Sequence, residues 1–131
     1  MKYRKLRNIE LNRVRIEDYG KLSPSGAVLV LDNIRSAHNV GSAFRTADAF
    51  KIDKIYLCGI TACPPSAEIH KSALGAENSM PWEHVQDTMD AICNLKAQGY
   101  TIISVEQTEN SLMLQNFRPN AYLSCAFGLK F

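Results

Sequence analysis

The 131-residue sequence is poor in the features that announce many protein classes. It has no apolar run near the roughly 18 residues that a membrane-crossing helix requires, which argues against a helical span. The basic start MKYRKLRN leads into no apolar segment of the signal-peptide kind, so the cytoplasm is the expected compartment. The four cysteines, Cys58, Cys63, Cys93 and Cys125, form no CxxC pair and have no histidine at finger-like spacing. No metal site is therefore expected, and small buried thiols in a reducing compartment are. There is no GxGxxG after an apolar run and no GxxxxGK[ST], which removes the dinucleotide fingerprint and the P-loop. His38, His70 and His84 have no serine or cysteine nucleophile in a recognisable setting and read as surface or turn residues. Internal repeats and low-complexity tracts are missing too.

What is present suits one globular domain, with 46% hydrophobic and 21% charged residues. The net charge of +2 conceals an asymmetry, because residues 1–26 carry +4 and the remainder −2. A basic head on a near-neutral body can supply phosphate contacts to a nucleic acid, and a solvated helix face would carry the same charges. The Pro, Ser and Gly of KLSPSG, residues 21–26, mark a turn or linker. Residues 1–26 are therefore expected to form a basic extension, and 27–131 the main domain.

After the linker, AVLVL (27–31) is a short apolar run that suits a strand buried on both faces. Val40, Ala43, Phe44, Ala47 and Phe50 then place an apolar stripe on a helix from about Val40 to Lys51. KIYLC (54–58) reads as a second buried strand, completing a βαβ unit for which a parallel sheet is expected. Asp87 can cap a helix with Met89, Ile92 and Cys93 inward, ending at Gly99, and YTIISV (100–105) follows as a third buried strand. AYLSCAF (121–127) is a fourth, with Gly128 just past it. The long connection 59–86 holds one short helix, Ser66 to Leu74. The fold class expected is α/β, a Rossmann-like parallel sheet with flanking helices. Ligands of such sheets collect beyond the C-terminal strand ends, here Asp32–Asn39, Gly59–Ser66, Glu106–Asn110 and Gly128 onward.

The richest of these ends is LDNIRSAHNVGSAFRTADAF (31–50). With 100° per residue, Arg45 lies about 140° from Val40 and points away from the sheet. Asn39 stands at the expected helix start, where its side chain can cap free N–H groups, and Gly41 permits close approach of another backbone. A plain βα turn with a solvated arginine and a catalytic loop both fit these local facts.

The same stretch resembles the first motif of the SpoU family of RNA 2′-O-ribose methyltransferases, in the SPOUT superfamily. RKLRNIELNRVRIEDY, KSALGAENSMPWE (71–83) and SVEQTENSLML (104–114) resemble further family segments in the right order. The resemblance implies a parallel α/β sheet with a C-terminal trefoil knot, S-adenosylmethionine as cofactor, tRNA or rRNA as substrate and a homodimer built around the site. The family's active-site asparagine and arginine match Asn39 and Arg45. An arginine can hold a phosphate and stabilise a developing alkoxide, whereas a guanidinium is a poor general base because it keeps its proton. Arg45 is therefore expected to stabilise charge and clamp phosphate, with Asn39 orienting it or the ribose. Arg35, Arg4, Lys5 and Arg7 are candidate RNA contacts, and Glu106 and Gly128, at strand ends, are candidate cofactor contacts.

The likeness stops short of the family's second motif, roughly Gly-Asn-Glu-x-x-Gly: aligned on Gly128, Leu129 and Lys130 replace its Asn and Glu, and the third motif is absent. The expectation is a C-terminally incomplete, unknotted domain with weak or no cofactor binding. Lys51 also stands where the family often has glycine, which bears on the helix stop. A noncatalytic RNA-binding or dimerisation module is the alternative reading, and a flavodoxin-like small-molecule domain rests on the βαβ pattern alone.

Overall fold

Two apolar runs and three side-chain caps set the architecture in the computed structural model, which describes residues 3–118 and 125–129. The runs are β1 (Ala27–Asp32) and β2 (Lys54–Cys58), which pair in parallel with Val30 opposite Tyr56. Both are flanked by strands on each side, which is why neither alternates with polar residues. The caps start the longer helices. Ser36 Oγ accepts from the Asn39 N–H and begins α2 (Ala37–Ala49), Ser66 begins α3 (Ala67–Ala73), and Asp87 begins α4 (Thr88–Ala97). The completed sheet is parallel throughout, in the order β3-β2-β1-β5-β4, with β3 at Trp82–Val85, β4 at Thr101–Val105 and β5 at Cys125–Leu129. The four-residue helix of the head, Ile16–Tyr19, is α1.

Helices cover the two faces of the sheet unequally. On one face α2 and α3 bury Val40, Phe44, Ala47 and Ile69 against Leu31, Ile55 and Leu57. On the other, Ala91 and Leu95 of α4 pack on Val28, Val30, Tyr56 and Cys58. Burying a side chain such as Phe44 contributes about 1.5–3 kcal/mol.

Several expectations need correcting. The helix after β1 starts at Ala37, three residues before Val40, because Ser36 takes the cap and leaves Asn39 inside the first turn. Phe50 is 74% exposed, since ten residues carry it about 80° away from Val40 around the helix. In α4 the inward pair is Ala91 and Leu95, four apart, so Met89 and Cys93 face solvent and Cys93 is not a buried thiol. β4 is an edge rather than a buried strand, with Val105 half exposed, because its one partner among the described residues is β5. Connection 59–86 also contains the fifth strand, β3, at the opposite edge. Gly128 lies within β5, opposite Val30 and Ser104, rather than past its end. Residues 121–124 of the expected fourth strand, and the course of the chain after Leu129 on which a knot depends, lie outside the described residues.

The helix stop at Lys51 is intact without glycine. Lys51 itself takes the left-handed conformation, φ 53°, while Lys51 N–H donates to Asp48 O and Ile52 N–H to Ala47 O. This is the double closure that usually recruits glycine.

The head is tied down at its end. Tyr19 packs on the α2/α3 core, donates to the Asp48 carbonyl at 3.3 Å and carries the Lys51 ammonium 4.4 Å above its ring. Asp53 accepts from the backbone N–H groups of Ser25 and Gly26, at 2.6 and 2.9 Å, and fixes the linker. Burial, with Asp48 adding to it, pushes the Tyr19 phenol from 10.0 up to about 12. The folded state thus holds this proton more tightly than the unfolded chain does. Its contribution is fully present below pH 10 and is lost as pH rises toward about 12. Replacing Tyr19 by Phe is expected to flatten the alkaline loss of stability in that window. Parallel pH profiles for the two proteins would remove Tyr19 from this account.

Candidate active site

The winding of the sheet reverses at β1, with β2 and β3 on one side and β5 and β4 on the other. A crevice at such a reversal, beyond the C-terminal strand ends, is where parallel sheets bind ligands. The loop leaving β1 there is held by a clasp of polar side chains. Asn33 takes a left-handed backbone, φ 50°, and its Oδ1 accepts from the Ile60 N–H at 3.1 Å. Gly59 makes room for it, because a Cβ there would lie 2.0 Å from Asn33 Oδ1. The buried hydroxyl of Thr61 accepts from the Ile34 N–H at 3.0 Å and donates to the Cys58 carbonyl at 2.7 Å. Asp32 accepts from the Thr88 hydroxyl at 2.6 Å, joining the end of β1 to the start of α4. Beneath the clasp, burial pushes the Cys58 thiol up to about 11, so it stays protonated and chemically quiet.

Thr61 makes a test of the clasp. Thr61→Val keeps the shape but leaves the buried Ile34 N–H without a partner, a loss expected to cost about 1–3 kcal/mol. Denaturant titration measures it, and a change below about 0.5 kcal/mol would mean that the loop does not depend on Thr61.

On this scaffold Arg45 points outward from α2, as its angle from Val40 requires. It lines a cleft of about 520 Å³ between α2 and α3 together with His38, Ser42 and Lys71. Among the described residues Arg45 enters no ion pair, so its guanidinium is available to an external anion. Asn39 is exposed on the same helix, about 120° around it from Arg45. It lines an adjoining, mainly apolar cleft of about 440 Å³ with Leu29, Ala43 and Ile52. Ser42, Thr46 and Phe50 line both clefts and stand between the two residues. The helix therefore carries Asn39 and Arg45 on separate faces and does not bring them into one pocket.

The other candidates are scattered. Arg35 is exposed in the β1–α2 loop. Glu106 is exposed just beyond β4, where its Oε1 accepts from the Gln107 N–H at 3.1 Å. Gly128 is paired with Ser104, two residues before Glu106, so both stand near the C-terminal ends of adjacent strands. In the head, Arg4 makes a two-pronged bond to Glu10 at 3.0 and 3.1 Å, Arg7 approaches the same carboxylate at 3.7 Å, and Lys5 is exposed. Sequence reasoning missed Asn33, Thr61, His38 and Lys71. A hint for Asn33 was the Asp-Asn pair closing an apolar run, a sequence that favours a left-handed turn residue.

Among the described residues, no group of histidine, cysteine or acidic side chains could hold a metal ion, and no helix is long and apolar enough to cross a membrane.

The same parallel architecture is found in solved proteins whose names describe RNA-modifying enzymes. The A. aeolicus TrmH/SpoU tRNA modifying enzyme superposes with a TM-score of 0.72 at 14% identity, covering 87% of this chain and 56% of that one. An AdoMet-bound rRNA methyltransferase from Sinorhizobium meliloti matches at 0.68 and 25% identity, covering 81% of this chain and 40% of that one. Residues 26–128 match the SpoU rRNA Methylase family model, and the chain belongs to that family. In sequence it is 33% identical over 82 residues to the 23S rRNA (guanosine-2′-O-)-methyltransferase RlmB of Nitrosomonas europaea, covering 63% of this chain and 32% of that protein. The chain spans about a third of that relative's length.

Proposed function

We propose that the chain takes part in S-adenosylmethionine-dependent methylation of a ribose 2′-hydroxyl in tRNA or rRNA, with Arg45 as its central polar group. The observation that carries this reading is an outward-facing Arg45, in no ion pair among the described residues, on the helix that leaves the reversal point of the sheet. Arg45 holds the phosphate beside the target ribose and stabilises the charge that builds on the 2′-oxygen as its proton passes to solvent water. Asn39, from the next cleft, orients the ribose. Arg35 and the head residues Arg4, Lys5 and Arg7 supply RNA backbone contacts, for which Arg4 and Arg7 must give up weak exposed pairs with Glu10. Residues 1–26 thus act as an RNA-reaching extension to the domain that follows.

Glu106 and Gly128 fit a cofactor in kind: a carboxylate to pair with an ammonium group, and a strand position with no side chain where a ring can lie close to the backbone. Bound there, S-adenosylmethionine would supply the methyl group as a sulfonium electrophile. A homodimer is favoured by the apolar cleft beside Asn39 and by the exposed Ile9 and Ile16 of the head. A cytoplasmic site of action is part of the same reading.

The reading is tested by incubating the chain with labelled S-adenosylmethionine and unmodified tRNA or an rRNA fragment, then digesting the RNA to nucleosides. Label in a 2′-O-methyl nucleoside is the expected result. RNA binding with no transfer would make the chain a noncatalytic RNA-binding module instead.

A further inference from the structure

The cleft between α2 and α3 carries more positive charge than a single phosphate clamp needs. Arg45 and Lys71 are the two cations that line it, with the imidazole of His38 and the hydroxyls of Ser42, Thr46 and Ser72. His38 and Arg45 stand two turns apart, about 10 Å along one face of α2. Lys71 comes from α3, so the two cations reach the cleft from facing helices. Their spacing is fixed by a close helix contact. With no side chain at Gly41, Ser72 comes near enough for its Oγ to donate to the His38 carbonyl at 2.7 Å. Two cations carried by separate, closely packed helices with hydroxyls beside them match the repeating charge of a nucleic-acid backbone better than they match a compact anion.

We propose that this cleft is a second backbone subsite for RNA, in which Lys71 binds a phosphodiester flanking the one held by Arg45. The subsite rests on the RNA reading given above and extends it to α3. Lys71 has an internal competitor, because its Nζ donates to Glu68 Oε1 at 3.0 Å with both side chains more than half exposed. That bond, together with the Lys71 charge, holds the Glu68 carboxyl below its usual range. An exposed ion pair is weak, and a phosphate can take Lys71 from Glu68. Two substitutions on one helix face should therefore act in opposite directions.

Anisotropy titrations of the full chain against an unmodified tRNA transcript, repeated over a series of salt concentrations, provide the test. Lys71→Gln should weaken binding roughly 3- to 10-fold and reduce the slope of log affinity against log salt by about 0.7–0.9. Glu68→Gln should tighten binding about 2-fold at low salt. Circular dichroism and thermal melts check that both variants are folded, and Arg45→Ala runs beside them. If Arg45→Ala weakens binding while Lys71→Gln and Glu68→Gln match the unsubstituted chain, the subsite is overturned and the Arg45 reading stands. If the chain binds neither the tRNA nor an rRNA fragment, both are overturned.

Discussion

Replacing Gly41 by alanine is expected to destabilise the fold by about 2–4 kcal/mol, although in a free helix the same change stabilises by about 1 kcal/mol. The sign reverses because α3 crosses α2 at this residue. A Cβ on Gly41 would lie 2.0 Å from Ser72 Oγ, 2.4 Å from the Ile69 carbonyl oxygen and 3.0 Å from the Ala73 nitrogen. The serine hydroxyl could turn aside only by giving up its bond to the His38 carbonyl. The two backbone atoms cannot turn aside, so α3 must back away and open the core around Val40 and Ile69. Gly20, where an added Cβ would meet nothing within 4 Å, serves as the control, and Gly20→Ala should be near neutral. Urea denaturation measures both, and a Gly41→Ala protein as stable as its parent would mean that α2 and α3 do not pack this closely.

Arg45→Ala is expected to lower methyl transfer by about 10²- to 10³-fold, the usual effect of removing a group aimed at developing negative charge. Stability should change by no more than about 0.5 kcal/mol, since the side chain is exposed and unpaired among the described residues. Arg45→Lys keeps the charge but loses the planar fork that grips two phosphate oxygens, so it should recover only part of the rate. Measuring kcat and the melting temperature together separates this from a structural role, in which both would fall.

Much of this was legible in the residues. The runs AVLVL and KIYLC are interior strands, Asp87 is a cap, a short helix lies between Ser66 and Leu74, and the helical angle alone turned Arg45 outward. What escaped was decided by distant parts of the chain. Ser36, His38 and Asn39 lie within four residues, and two of these types cap helices well. The choice of Ser36 follows from where the loop ends, and Thr61, 27 residues from Ile34, pins that loop. WEHV at 82–85 reads as connection because an edge strand can carry charged residues, and only its pairing with β2 reveals it. YTIISV looks like a buried strand, yet among the described residues it is an edge strand with β5 alone beside it. Lys71 opens the family-like segment KSALGAENSMPWE, but nothing in that segment ties it to Arg45. It joins the Arg45 cleft through the packing of Ser72 against Gly41, a contact between helices that neither sequence segment encodes alone.

The central claim is that Arg45 acts on the phosphate and 2′-oxygen of a ribose. Its most direct test is the single-turnover rate at which labelled methyl enters 2′-O-methyl nucleosides of an unmodified tRNA or rRNA fragment, for the chain and for Arg45→Ala at saturating RNA. The account predicts label on the ribose, with the variant at least about a hundredfold slower. Equal rates for the two proteins, or label on a base, would contradict it.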